Sequence, residues 1–229
     1  MRFQLGVWGA GACAAVWDTG EHPHGIVTGQ TGSGKSFLLG WLIEQATADA
    51  EVWIGDGKAS GEFASCGDVV AGGPIECVEL CEQAAGLIAD RQAGFDRPLL
   101  VVIDEAAAIT LRVAGDQAKD ARDRKDRFLS SLSSIALMGR SVGVHLVVAL
   151  QRADADVLGG ATRDQFGFRV ALGWSSPDGY RMVLGESQLQ PPTNTPGEGW
   201  AVGLSGAPPE PVPLFVDREP VGARRWWRR

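Results

Sequence analysis

The sequence predicts an α/β fold with a mainly parallel sheet flanked by helices, and three observations carry that expectation. Continuous apolar runs such as Pro98–Asp104 (PLLVVID) and Val144–Leu150 have the pattern of strands buried on both faces. Helical stretches alternate with such runs, and that alternation implies right-handed βαβ units. One apolar run leads directly into Gly29–Ser36, GQTGSGKS, which matches the phosphate-binding pattern G-x-x-x-x-G-K-[ST] at every defined position.

Taken in order, residues 1–25 read as short strands and turns, and Gly25–Thr28 as a short buried strand. Phe37–Ala48 reads as a helix with Phe37, Leu38, Trp41 and Leu42 towards one side. Glu51–Gly55 is a strand, followed by a Gly-rich loop holding Asp56 and Lys58. Ile75–Gly94 is helical, then comes the strand Pro98–Asp104. Asp116–Gly139 is a long helix, charged in its first half and apolar in its second. Val144–Leu150 and Phe166–Leu172 are strands, Asp178–Leu184 a short helix, and Trp200–Gly203 and Val212–Val216 edge strands. The expected organisation is an extension over 1–25, a phosphate-binding α/β domain over 26–205 and a tail over 206–229.

The 229 residues are 45% hydrophobic and 21% charged, enough apolar matter to bury a core. A formal charge of −7 excludes a protein that coats nucleic acid over its whole surface, although it leaves a local basic patch open. Cys13, Cys66, Cys77 and Cys81 form no CxxC pair, and His22, His24 and His145 do not fall at zinc spacing from them. Such cysteine usage fits a reducing, cytoplasmic setting. Phe3–Trp17 is uncharged but too short to span a bilayer, so no membrane anchor is expected.

The chemistry concentrates at the strand ends, where open α/β sheets bind ligands. Gly29, Gly32 and Gly34 allow the backbone to curl so that successive N–H groups, from Gln30, Thr31 and Ser33 through Phe37, point at phosphate oxygens. Lys35 is expected to pair with the terminal phosphates of ATP, and the Ser36 hydroxyl to ligate Mg²⁺. Asp104 ends a strand and can hold the same metal, while the adjacent Glu105 can polarise the attacking water. Gln151 follows the strand Val144–Leu150 and is placed to sense the terminal phosphate.

Three segments, PHGIVTGQTGSGKS, LLVVIDEAA and MGRSVGVHLVVALQRAD, together resemble the FtsK/SpoIIIE group of the HerA–FtsK superfamily of P-loop ATPases. The resemblance extends over roughly residues 20–205, through FRVALGWSSPDGYRMVLGE and PGEGWAV. It implies a RecA-like core in a hexameric ring, moving double-stranded DNA with ATP and Mg²⁺. It implies that Arg140 or Arg91 reaches a neighbouring subunit as an arginine finger. Gly57 stands where the family has Pro, Leu150 where it has Thr or Ser, Ala153 where it has Pro, and Gly179-Tyr180 where it has an acid and a serine. A membrane-anchored or sequence-reading partner chain is expected to supply what such a motor core lacks. The competing readings are a protein-secretion ATPase of the type VII kind and an ATP-dependent assembly factor that scarcely turns over.

Residues 112–127 hold six basic and four acidic side chains, a positive island in an acidic chain. Mixed charge on a helix is either a solvated face or, as the resemblance implies, a DNA-facing one, with Lys119, Arg122, Arg124, Lys125 and Arg127 as the contacts. The tail RRWWRR over 224–229 can hold phosphates and stack on bases, bind an acidic membrane surface, or remain unengaged.

Overall fold

The computed structural model describes residues 1–92, 94–115, 120–152, 157, 159–190, 193 and 195–217. Among the described residues ten strands form one sheet: β1 (Arg2–Trp8), β2 (Cys13–Asp18), β3 (Gly25–Gly29), β4 (Glu51–Asp56), β5 (Val69–Ala71), β6 (Leu99–Asp104), β7 (Val144–Leu150), β8 (Phe168–Leu172), β9 (Glu198–Val202) and β10 (Val212–Val216). Their order is β2-β1-β10-β9-β8-β3-β7-β6-β4-β5. The strands from β8 to β5 pair in parallel, and those from β8 to β2 pair antiparallel.

The helices are α1 (Lys35–Ala46), α2 (Pro74–Arg91), α3 (Ala106–Gly115), α4 (Ala121–Met138), α5 (Gly160–Arg163) and α6 (Pro177–Leu184). They cover both faces of the sheet, because β6 and β7 have every residue buried and cannot leave either face to water. On one face Val101, Ile103, Leu146 and Val148 pack with residues of α2, α3, α4 and α6. On the other, Leu100, Val102, Val147 and Ala149 pack with Leu38, Leu39, Leu42 and Ile43 of α1. Phe3, Trp17 and Phe168 extend this second core as a stack with centroid spacings of 4.9 and 4.6 Å.

Several sequence expectations are corrected. β9 and β10 are interior strands, since β1 and β2 continue the sheet beyond them; the edges are β2 and β5. The expected helix over 116–139 is observed as α4 from Ala121, while residues 106–115, to which the sequence reading assigns no element, form α3. Ile109 and Val113 of α3 are buried, so tertiary packing overrides the weak local signal of an alanine-rich run after a strand. The 218–229 tail and Lys119 lie outside the described residues. Among the described residues no helix is long and apolar enough to cross a membrane.

Candidate nucleotide site

The sheet order places the site. β3 delivers the Gly29–Ser36 loop, β6 delivers Asp104 and Glu105, and β7, lying between them, delivers Gln151. Gly32 and Gly34 adopt φ of 84° and 96°, a left-handed backbone that closes the loop under the first turn of α1. Gly34 also packs so close to the next segment that a Cβ there would lie 2.7 Å from the Gly197 nitrogen. α1 begins with no side-chain cap, leaving its first-turn amides for a ligand. Ser33 Oγ is buried without a hydrogen-bond partner in the loop.

Lys35 Nζ stands 3.1 Å from Asp104 Oδ1 and 3.7 Å from Glu105 Oε2. All three residues are buried, at 6%, 3% and 4% exposure. Two buried carboxylates side by side repel each other, so the cluster requires cations, and the protein supplies two. The second is Lys58, on the loop after β4, whose Nζ is 3.0 Å from Glu105 Oε2. Glu105 Oε1 accepts the backbone N–H of Gln151 at 3.2 Å. Glu105 itself has φ of 58°, an uncommon conformation for a residue with a side chain. It sits at the abrupt turn from β6 into α3, where its carbonyl accepts from Ala108 N.

A cavity of about 200 Å³ opens above this cluster, lined by Gln30, Thr31, Gly32, Lys35, Ser36, Lys58, Glu62 and Gln151. The site fits a polyphosphate with a divalent cation: uncapped amides and two ammonium groups face the phosphates, and the Ser36 hydroxyl in the lining and the Asp104 carboxylate beside Lys35 offer oxygen ligands to the metal. A larger cavity, about 380 Å³, adjoins the far side of the loop around Pro196, Gly197, Phe215 and Val216.

Lys35, Ser36, Asp104, Glu105 and Gln151 are thus brought to one place. Arg91 and Arg140 are not. Arg91 is 3.6 Å from Glu51 at the start of β4 and donates to the Arg97 carbonyl. Arg140, just before β7, donates to the Gly20 carbonyl. Both stand at the opposite end of the parallel strands from the phosphate loop. Arg127 of the basic segment pairs bidentately with Glu82 of α2. Arg122 is exposed, and Arg124 and Lys125 are half-buried on the same helix.

Two supporting features escape a reading of the sequence. Lys58 figures there only as a residue of the Gly-rich loop after a strand. Its neighbour Gly57 replaces a proline and uses the freedom this gives: its N–H donates to the Asp104 carbonyl, and a Cβ would clash with Ile109. The other feature is Gly197, whose N–H donates to the Ser33 carbonyl at 2.8 Å and braces the phosphate loop from β9. The signal available for it is the glycine spacing of PGEG.

No protein-family model matches the chain. Among curated proteins it is 28% identical over 193 residues to the Ftsk domain-containing protein YdcQ of Bacillus subtilis, a match covering 74% of this chain and 38% of YdcQ. Among solved structures it is similar to the pCW3 conjugation coupling protein TcpA, with TM-score 0.76 and 21% identity, over 93% of this chain and 65% of that one. It is similar also to the cytoplasmic domain of the type VII secretion ATPase EccC of Thermomonospora curvata, with TM-score 0.71 and 22% identity, over 94% of this chain and 28% of that one. The chain therefore spans well under two thirds of the curated relative's length. Fold and site together define the class: a RecA-like P-loop NTPase core. Within that class, the chain is similar in sequence to the Ftsk domain-containing protein YdcQ and to DNA translocases such as SftA of Bacillus subtilis, at 28% and 26% identity.

Proposed function

We propose that this chain is the ATPase core of a motor that translocates double-stranded DNA through an oligomeric ring. The observation that carries ATP hydrolysis is the clustering of Lys35, Asp104 and Glu105 beside the phosphate loop. Residues 29–37 hold the phosphates, and Lys35 offsets their charge. Ser36 and Asp104 would hold Mg²⁺, which when bound would neutralise charge on the terminal phosphates. Glu105 accepts the proton of the attacking water, and Gln151 reports the state of the terminal phosphate to β7. The far placement of Arg91 and Arg140 supports a role only towards a neighbouring subunit, so an arginine finger here acts in trans, as a ring of six copies would allow.

DNA as the substrate rests on the relatives that are DNA translocases and coupling proteins. Lys119, Arg122, Arg124 and Lys125 are its contacts; Arg127, already paired with Glu82, contributes least. We place the protein in the cytoplasm, working with a membrane-anchored or sequence-reading partner chain. The likeness to EccC favours one second reading, a motor acting on polypeptide. Steady-state ATP turnover with and without linear double-stranded DNA tests the proposal. Strong stimulation by DNA of any sequence supports it. Stimulation by a polypeptide alone favours the second reading, and turnover that neither partner raises would leave an assembly factor.

A further inference from the structure

Glu105 is flanked by cations in the arrangement observed. Its Oε1 accepts the Gln151 N–H, and its Oε2, which accepts no hydrogen bond, lies 3.7 and 3.0 Å from the Lys35 and Lys58 ammonium groups. For a water to take a place beside Oε2, one of these ammonium groups has to move. Glu105 itself is poorly suited: its side chain is 5% exposed and its backbone is fixed in a left-handed turn. Lys35 is equally enclosed, at 7%. Lys58 is different. Its side chain is 39% exposed, and it rides on a loop whose backbone is pinned independently. Asp56 does the pinning, with its carboxylate accepting from Lys58 N, Ser60 Oγ and Gly61 N. The lysine stem can therefore swing without moving its own loop. Its departure does not orphan Glu105, which keeps Lys35 and the Gln151 N–H, so the exchange costs little.

The place for Lys58 to go is the wall it already forms. The cavity it lines with Gln30, Thr31, Gly32, Lys35 and Ser36 is the one the phosphates would fill. Building on the ATPase reading above, we propose that Lys58 is an exchanging cation: it neutralises Glu105 while the site lacks a triphosphate, and moves to the terminal phosphate when one binds, freeing the Glu105 carboxylate for water. Lys58 is thus a phosphate ligand that also positions the base. The device ties release of the base to the one anion whose hydrolysis needs it, and a diphosphate, ending short of Lys58, leaves the brake in place.

The test separates contact with phosphate from mere pairing with Glu105. Binding of ADP and of the non-hydrolysable triphosphate AMP-PNP, each with Mg²⁺, is measured by calorimetry on the full chain as wild type, E105Q, K58M, E105Q/K58M and E105Q/K58R, with circular dichroism to establish folding. With Glu105 neutralised, Lys58 has no anion to leave, so E105Q is expected to bind AMP-PNP more tightly than wild type. Adding K58M to E105Q is expected to weaken AMP-PNP by about tenfold, the worth of one charge-assisted hydrogen bond, and ADP by less than about twofold. K58R in the same background should restore most of the loss. If K58M changes nothing in the E105Q background, Lys58 serves Glu105 alone and the exchange is refuted. Equal weakening of ADP and AMP-PNP would refute it too, by placing Lys58 away from the terminal phosphate. Failure of the ATPase reading looks different: wild type and Lys35→Ala would then bind neither nucleotide measurably.

Discussion

Two buried histidines, one in β7 and one just before β3, should make this fold acid-sensitive. His24 is fully buried, and its Nδ1 accepts the Leu146 N–H at 3.0 Å, which requires the neutral ring. Burial, with His145 and Arg140 nearby, depresses its pKa from 6.5 to about 3, although the Ala136 carbonyl partly opposes this. His145 is 7% exposed, with Nδ1 3.0 Å from the Pro23 carbonyl. Burial lowers its pKa to about 4 despite that bond. Both are bases whose folded pKa lies below the unfolded value, so the unfolded chain takes up protons that the native state refuses. Well above pH 6.5 neither state is protonated and the histidines add no pH dependence. As pH falls from 7 to 5 the unfolded state gains, and linkage puts the loss of stability at about 2 kcal/mol for each ring, about 4 kcal/mol together. That is a large part of the ~5–15 kcal/mol of a typical domain. The assay is urea denaturation at pH 7 and pH 5 on wild type, His24→Gln and His24→Gln/His145→Gln. Glutamine can accept the Leu146 N–H and does not titrate, and the contributions of carboxylates cancel in the comparison. Each replacement should shrink the pH 7-to-5 loss by about 2 kcal/mol. An unchanged loss in the double variant would mean that both rings charge inside the native protein, and the burial argument would fail.

Four further outcomes test the site and the partner. Lys35→Ala should abolish ATP turnover with the far-ultraviolet dichroism unchanged; turnover at the wild-type rate would move the site elsewhere. Glu105→Gln should bind ATP yet hydrolyse it roughly 10²–10⁴-fold more slowly, read by phosphate release. Gly34→Ala places a Cβ 2.7 Å from the Gly197 nitrogen at a φ of 96°, so it should lower nucleotide affinity and melt earlier; a protein indistinguishable from wild type would show the close approach of Gly34 to Gly197 to be dispensable. Replacing Lys119, Arg122 and Lys125 with Ala should reduce the slope of log affinity for DNA against log salt by about 0.9 for each phosphate no longer neutralised, whereas deleting residues 222–229 should not; the reverse result would assign DNA to the tail.

The parts of this protein that are legible in the sequence are those in which one segment carries its own instruction. GQTGSGKS specifies a turn, a helix start and a cation within eight residues, and LLVVID announces a strand with acids at its tip. What is not legible depends on which strands become neighbours. β9 and β10 read as edges because short strands with prolines nearby usually are; only the return of β1 and β2 to the same sheet makes them interior. Alanine-rich residues 106–115 carry a stop signal in Gly115 but little to announce a start, and α3 forms because Ile109 and Val113 find the core.

The same reasoning explains why half of the charge cluster is visible in the sequence and half is not. Asp104 and Glu105 lie next to each other in the chain, so their pairing with a phosphate-loop lysine can be anticipated from any parallel sheet. Lys58 is 47 positions upstream of Glu105. It reaches Glu105 only because β4 pairs with β6 in a register that sets Asp56 opposite Asp104, and the next residues of both strands turn towards each other. The Gly57 N–H donating to the Asp104 carbonyl fixes that approach. A strand-end glycine in place of proline is therefore more than a tolerated departure: it draws the two strand tips together, and the cation that follows it is held over the carboxylate that the hydrolytic reading needs.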